Sequence, residues 1–161
     1  MKESPMSRVL PRIALYAALA IVLTGAPPAH AQKSESVVKT DVKASKPDDD
    51  GNQEVTITLE ILDKRYHLYA NPVGNDTLKT AQTTVRFTSK LEGDAKVEYP
   101  AGKLVKDETV GDYKTYEGTV TIKAKVRRVK GDTSPLALSI TFQACDEKTC
   151  LLRSTVKKTA E

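Results

Sequence analysis

Two cysteines stand close together near the end of the chain, in ITFQACDEKTCLLRSTV at positions 140–156. Cys145 and Cys150 are separated by Asp146, Glu147, Lys148 and Thr149, and they are the only cysteines among 161 residues. A pair this close can form a disulfide, and the chemistry open to it is either structural stapling or thiol–disulfide exchange. A four-residue spacer suits a hairpin loop, which would set the two cysteines against each other on adjacent strands. Closing so small a loop removes little entropy from the unfolded chain, on the order of 2 kcal/mol in the chain-entropy account. As a staple the pair is poorly placed. As an exposed, reducible bond it is well placed, because exchange needs access for an attacking thiolate. The spacer carries two acidic residues and one lysine, so no basic cluster is at hand to stabilise a thiolate. From the residues alone, both a structural and a redox role remain open.

Other chemistry finds little support. His67 is the only histidine after the first 31 residues, and both methionines, Met1 and Met6, precede it. Cys145, Cys150 and His67 are a thin ligand set for zinc or copper, so no metal and no cofactor is expected. Asp48-Asp49-Asp50 before Gly51 lacks the alternating ligand spacing of a calcium loop and reads as a solvated turn. There is neither a G-x-S-x-G nucleophile segment nor a glycine-rich phosphate loop.

The amino-terminal 31 residues read as an export signal. Lys2, Arg8 and Arg12 precede the uncharged run Ile13–Thr24, which leads to Ala29-His30-Ala31. A basic start, a short apolar core and an Ala-x-Ala end make a secretory signal, with cleavage expected after Ala31. The apolar run is short for a membrane span of about 20 residues. Export favours an oxidised cysteine pair. The formal net charge of +4 falls to +2 once residues 1–31 are removed, since they hold three of the 25 basic residues and one of the 21 acidic ones. Within the basic run KAKVRRVK at 123–130, Lys123, Lys125 and Arg127 share one parity. This is the pattern of a solvated strand face, and no nucleic-acid partner is expected.

The elements that must position the cysteines are strands. Residues 32–53 are polar with few large apolar side chains and read as a flexible lead-in. From Glu54 the pattern takes period two: Val55, Ile57, Leu59 and Ile61 on one face, then Val120, Ile122, Ala124 and Val126, then Leu136, Leu138, Ile140, Phe142 and Ala144. Shorter strands are expected at 66–70, 83–88, 96–99 and 151–157, and turns at 71–76, 100–102 and 131–135. About seven strands and no helix predict an all-β, antiparallel sandwich over 54–158. Cys145 falls on the opposite parity to Phe142 and Ala144 and is expected off the core face.

Four segments, taken in order, resemble one family: ILDKRYHLYANP at 61–72, VEYPAGKLVKDE at 97–108, YEGTVTIKAKV at 116–126 and FQACDEKTC at 142–150. The resemblance is to the amino-terminal periplasmic domain of the thiol:disulfide interchange protein DsbD. It implies an immunoglobulin-like sandwich with the cysteines on neighbouring strands. It implies a periplasmic module that takes electrons from a thioredoxin-like donor or a separate membrane electron-transfer protein. The acceptors it implies are thioredoxin-fold proteins, such as disulfide isomerases or cytochrome c maturation factors. By position Cys150 would form the mixed disulfide and Cys145 would resolve it. Tyr66, His67 and Tyr69 match a segment flanking the family's active site. Asp107, Glu108, Thr109, Val110 and Gly111 match its cap loop, whose tip is aromatic in some members and Thr109 here. The alternative from another class is an exported immunoglobulin-like binding module with a structural disulfide.

Overall fold

The computed structural model describes residues 31–160; the expected export signal lies outside them, apart from Ala31. The described chain is all-β, an immunoglobulin-like antiparallel sandwich of eleven strands with two short 3-10 turns. Its centre follows from the period-two segments. β2 (Asn52–Ile61) pairs with β8 (Thr119–Arg127), with Ile57 opposite Ile122 and Leu59 opposite Val120. β1 (Val38–Ala44) flanks β2 and β5 (Lys96–Glu98) flanks β8, giving the order β1-β2-β8-β5. A second sheet has β9 (Leu136–Phe142) between β11 (Ser154–Ala160) and β4 (Thr84–Phe87). The core includes Ile57, Ile122, Ile140 and Phe142, all fully buried. Each such side chain contributes about 1.5–3 kcal/mol by leaving water.

The third sheet carries Cys145. Its order is β10-β3-β7-β6, with β3 at His67–Tyr69, β6 at Lys103–Val105, β7 at Tyr113–Tyr116 and β10 at Ala144–Cys145. β9 stops at Phe142 and β10 begins at Ala144, so one line of chain passes from the core sheet into the third sheet. Tyr116 is buried, and its hydroxyl donates to the Pro100 carbonyl at 3.0 Å while accepting from the Asn71 amide at 3.1 Å. That one side chain ties three segments together behind the site.

Two expectations change. Residues 32–53 are not a free lead-in: β1 pairs with β2 along its whole length, from Val38 opposite Ile61 to Ala44 opposite Val55. Val37 and Val38 are buried, while Val42 and Ala44 are partly covered. The segment looked unstructured because its second face meets water and few of its residues are apolar. The strand count is eleven rather than seven, because β1, β6 and β10 are short or polar and the stretch at 116–126 divides into β7 and β8 around Gly118. The aspartate run forms a turn. Asp48 accepts the amides of Asp50 and Asn52 at 3.0 and 2.7 Å, and Gly51 takes φ 79°. A Cβ on Gly51 would also sit 2.9 Å from the Arg128 carbonyl oxygen, so glycine is required there.

Candidate functional site: a buried and an exposed cysteine in one cleft

Cys145 ends β10 and Cys150 lies directly opposite it as an isolated antiparallel bridge. Their Cα atoms are 4.0 Å apart and their sulfurs are bonded. The intervening residues fold as a hairpin tip. The Asp146 amide donates to the Thr149 carbonyl at 2.9 Å, and the Asp146 carboxylate accepts the amides of Lys148 and Thr149 at 2.8 and 2.7 Å. Those donors hold the Asp146 carboxyl below its ordinary pKa, since they favour the charged form.

The base of the hairpin is clamped from a distance of more than 100 residues along the chain. Ser34 is fully buried; its hydroxyl donates to the Leu152 carbonyl at 2.8 Å and accepts the Ala144 amide at 2.9 Å. The backbone adds Ser34 amide to Leu152 carbonyl and Leu152 amide to Gln32 carbonyl. Residues just after the expected cleavage point therefore hold both arms of the cysteine loop. Nothing in the sequence marked Ser34, because a buried serine leaves no periodic signature.

The two sulfurs live in different surroundings. Cys145 is 1 % exposed, whereas Cys150 is exposed. Alternation holds: Ala144 enters the core cluster and Cys145 does not. Cys145 is nevertheless buried, because the other face of the third sheet is covered too. It lies in a cleft of about 480 Å³ whose lining includes His67, Tyr69, Asp107, Val110, Tyr113 and Cys150. β3 supplies His67 and Tyr69, with His67 opposite Cys145 in the ladder. The rings of His67 and Tyr69 meet edge to face at 5.8 Å, and Tyr69 meets Tyr113 at 5.7 Å. Burial holds the His67 imidazole below its usual pKa, against the opposing pull of Glu117 and Asp146. Burial raises the Tyr69 phenol.

The loop between β6 and β7 overhangs this cleft. Asp107 shapes it by accepting the amides of Thr109 and Val110 at 2.8 and 3.0 Å, and Gly111 turns it at φ 85°. These amides lower the Asp107 pKa. Asn75, at the start of the 3-10 turn Asp76–Leu78, donates to the Val110 carbonyl at 2.7 Å and latches the loop. Of the sequence-predicted site residues, the cleft lining gathers Cys145, Cys150, His67, Tyr69, Asp107 and Val110. Glu108, Thr109 and Gly111 are exposed residues of the same loop outside the lining. Tyr66 is not in the cleft; it packs on the core, with the Arg65 guanidinium 5.9 Å above its ring. Tyr113, Thr115 and Glu117 join the lining without having been foreseen, since only the β3–β7 pairing places them there. Among the described residues no three His, Cys, Asp or Glu converge as a metal-ligand set.

Several solved structures are similar to this chain. The amino-terminal domain of Neisseria meningitidis DsbD in its reduced form is 20% identical, covers 78% of this chain and 85% of its own, and superposes with a TM-score of 0.46. The amino-terminal periplasmic domain of ScsB from Proteus mirabilis is 13% identical with a TM-score of 0.55; the match covers 82% of this chain but only 48% of that one. A complex of the DsbD and PilB amino-terminal domains from Neisseria meningitidis matches at 16% identity over 84% of this chain and 87% of that one, with a TM-score of 0.48. No curated protein matches in sequence. The family described as thiol:disulfide interchange protein DsbD, N-terminal, matches residues 33–160, nearly the whole described chain, and the chain with its cysteine hairpin in a capped cleft belongs to that family.

Proposed function

We propose that this protein is a periplasmic thiol–disulfide exchange module that passes electrons through Cys145 and Cys150 to thioredoxin-fold proteins. The observation that carries the reading is the asymmetry of the pair: both cysteines line one cleft, yet Cys150 is an exposed residue and Cys145 a buried one. A structural staple gains nothing from that arrangement. An exchange centre needs it, because a partner must reach one sulfur while the second waits out of contact. Family membership supports the same reading.

The reaction follows from access. A thiolate of a reduced donor attacks the Cys150 sulfur, the Cys145–Cys150 bond breaks, and Cys145 leaves with the electron pair and takes up a proton. A second donor thiol then attacks the mixed disulfide, so that the donor becomes oxidised and Cys150 is released reduced. In the forward direction the Cys150 thiolate attacks an oxidised acceptor. Cys145 then attacks Cys150, closing the pair and releasing the acceptor as a dithiol. The donor is a thioredoxin-like domain or a separate membrane electron-transfer protein. The acceptors include thioredoxin-fold proteins of the isomerase and cytochrome c maturation kinds. The loop from Asp107 to Gly111 limits access until a partner displaces it from Asn75.

The test is capture. Cys145→Ser should trap a disulfide-linked complex with an oxidised thioredoxin-fold protein, seen on a non-reducing gel and resolved by dithiothreitol. Cys150→Ser should trap none. Equal trapping by both variants would overturn the assignment of roles.

A further inference from the structure

The exchange steps above leave the histidine of the cleft lining unused. His67 is the ladder partner of Cys145. The next pair, Leu68 opposite Ala144, is fully buried in the core, so alternation turns His67 and Cys145 together to the cleft side. Directly opposed side chains on one face have Cβ atoms about 4.5–5.5 Å apart. His67 Nε2 is buried and has no hydrogen-bond partner. An unpartnered buried nitrogen is costly, and in the oxidised protein the sulfur of its ladder partner carries no hydrogen to offer. Once the disulfide opens, the Cys145 thiol becomes a donor at that position.

We propose that His67 is the proton-transfer group for Cys145: Nε2 takes the thiol proton as Cys145 attacks the mixed disulfide on Cys150, and returns it when Cys145 is the leaving group. The inference rests on the exchange reading. The step balances: the Cys145 S–H proton moves to Nε2, a Cys145–Cys150 bond forms, the bond from Cys150 to the partner sulfur breaks, and the partner leaves as a thiolate. The proton then passes to solvent or to that thiolate.

Cys145 needs such help. The thiolate is the attacking form, and a free thiol titrates near 8.5. Among the described residues the only lysine or arginine in the cleft lining is Lys148, exposed on the hairpin tip. The groups around His67 come from every neighbouring element. Asp146 follows Cys145 on the β10 side. Glu117 follows β7 and is bound by Lys103 at 2.9 Å. Tyr69 is on the same strand, and Arg65 just before it is held by Asp63 at 2.7 Å. Asp107 and Tyr113 line the cleft from the β6–β7 side, and Glu147 and Lys148 from the hairpin. Burial outweighs the two carboxylates and keeps the imidazole neutral at neutral pH, which is the form that accepts a proton.

The test needs no protein partner. The exported protein is reduced with dithiothreitol, freed of it, and mixed with Ellman's reagent between pH 5 and 9. The first thionitrobenzoate released reports Cys150; the second reports attack by Cys145 on the Cys150 mixed disulfide. In the natural protein the second phase should rise through an inflection at or below about pH 6.5 and then level off. In His67→Gln it should be about tenfold slower or more at pH 7 and still rising above pH 8. The first phase should not change. His67→Tyr serves as a second variant that preserves an aromatic in the site, and the thermal midpoint of each oxidised variant checks folding. Matching pH profiles and rates in the natural protein and a folded variant would overturn the proposal, as would a natural protein that releases no second equivalent. If closure follows the histidine but no thioredoxin-fold protein exchanges with the pair, the functional reading falls and this one stands.

Discussion

At the scale of single residues, the site depends on how polar atoms are placed around two sulfurs. Ser34 is the clearest case. Its hydroxyl bonds one backbone group on each arm of the cysteine hairpin. Ser34→Ala leaves the buried Ala144 amide without that partner, while the Leu152 carbonyl keeps the Ser34 amide, and a buried unsatisfied group costs about 1–3 kcal/mol. The expected result is a fall of that size in the urea-unfolding free energy of the oxidised protein. No change would mean that water replaces the hydroxyl. Asp146 predicts a pH effect. Its folded pKa lies below the ordinary aspartate value, so the unfolded chain binds its proton first as pH falls. The stabilisation it gives is present above the unfolded pKa and is lost as pH drops through the folded one. Asp146→Ala should therefore lower the unfolding midpoint near pH 6 and make little difference near pH 2. A gap of equal size at both values would contradict the assignment. His67 was visible in the sequence as a lone histidine beside two tyrosines. Its meeting with Cys145 was not, because the two are brought together by a ladder between distant strands.

At the scale of elements, legibility followed burial. β2, β8 and β9 alternate cleanly because one face of each enters the core while the other is less covered or open. β1 alternates too, but only Val38 is buried and its other inward residues are half covered, so its apolar signal is weak. β6 and β7 carry mixed patterns because the cleft side of their sheet is lined by polar residues and partly open. The parity of Cys145 was readable. Its burial was not, because the residues that close the cleft lie between positions 105 and 117 and reveal nothing locally about where they fold. Gly102 is a second element-scale feature. A Cβ there would lie 2.5 Å from the Ala70 Cβ and 2.9 Å from the Lys114 Cβ. The turn between β5 and β6 must therefore approach the sheet that carries the site. Gly102→Ala should destabilise by about 1–3 kcal/mol through overpacking, read as a lower urea midpoint with an unchanged slope. A neutral result would show that the turn shifts freely.

At the scale of the whole molecule, exposed charge is mixed and the cysteines sit apart from the core sheets. The exposed basic residues of β8 are set against acidic neighbours, with Lys125 at 3.7 Å from Glu54 and Arg127 at 3.3 Å from Glu92. Such exposed pairs add little stability, but they break up any basic stripe. A larger hollow at Ser45, Lys46, Gln53 and Lys125 holds neither cysteine nor histidine. Cys145 and Cys150 lie instead at the end built from the third sheet, on a scaffold with its own core. A fold that does not rely on its disulfide can open and close it without unfolding, and that independence is the central claim. The measurement that tests it is the reduction potential of the Cys145–Cys150 pair in glutathione or dithiothreitol buffers, with the thermal midpoint of both redox forms in the same samples. The account predicts a potential well above about −300 mV, the range of labile exchange centres, and similar midpoints for the two forms. A much lower potential with a clear loss of stability on reduction would make the pair a staple and contradict the account.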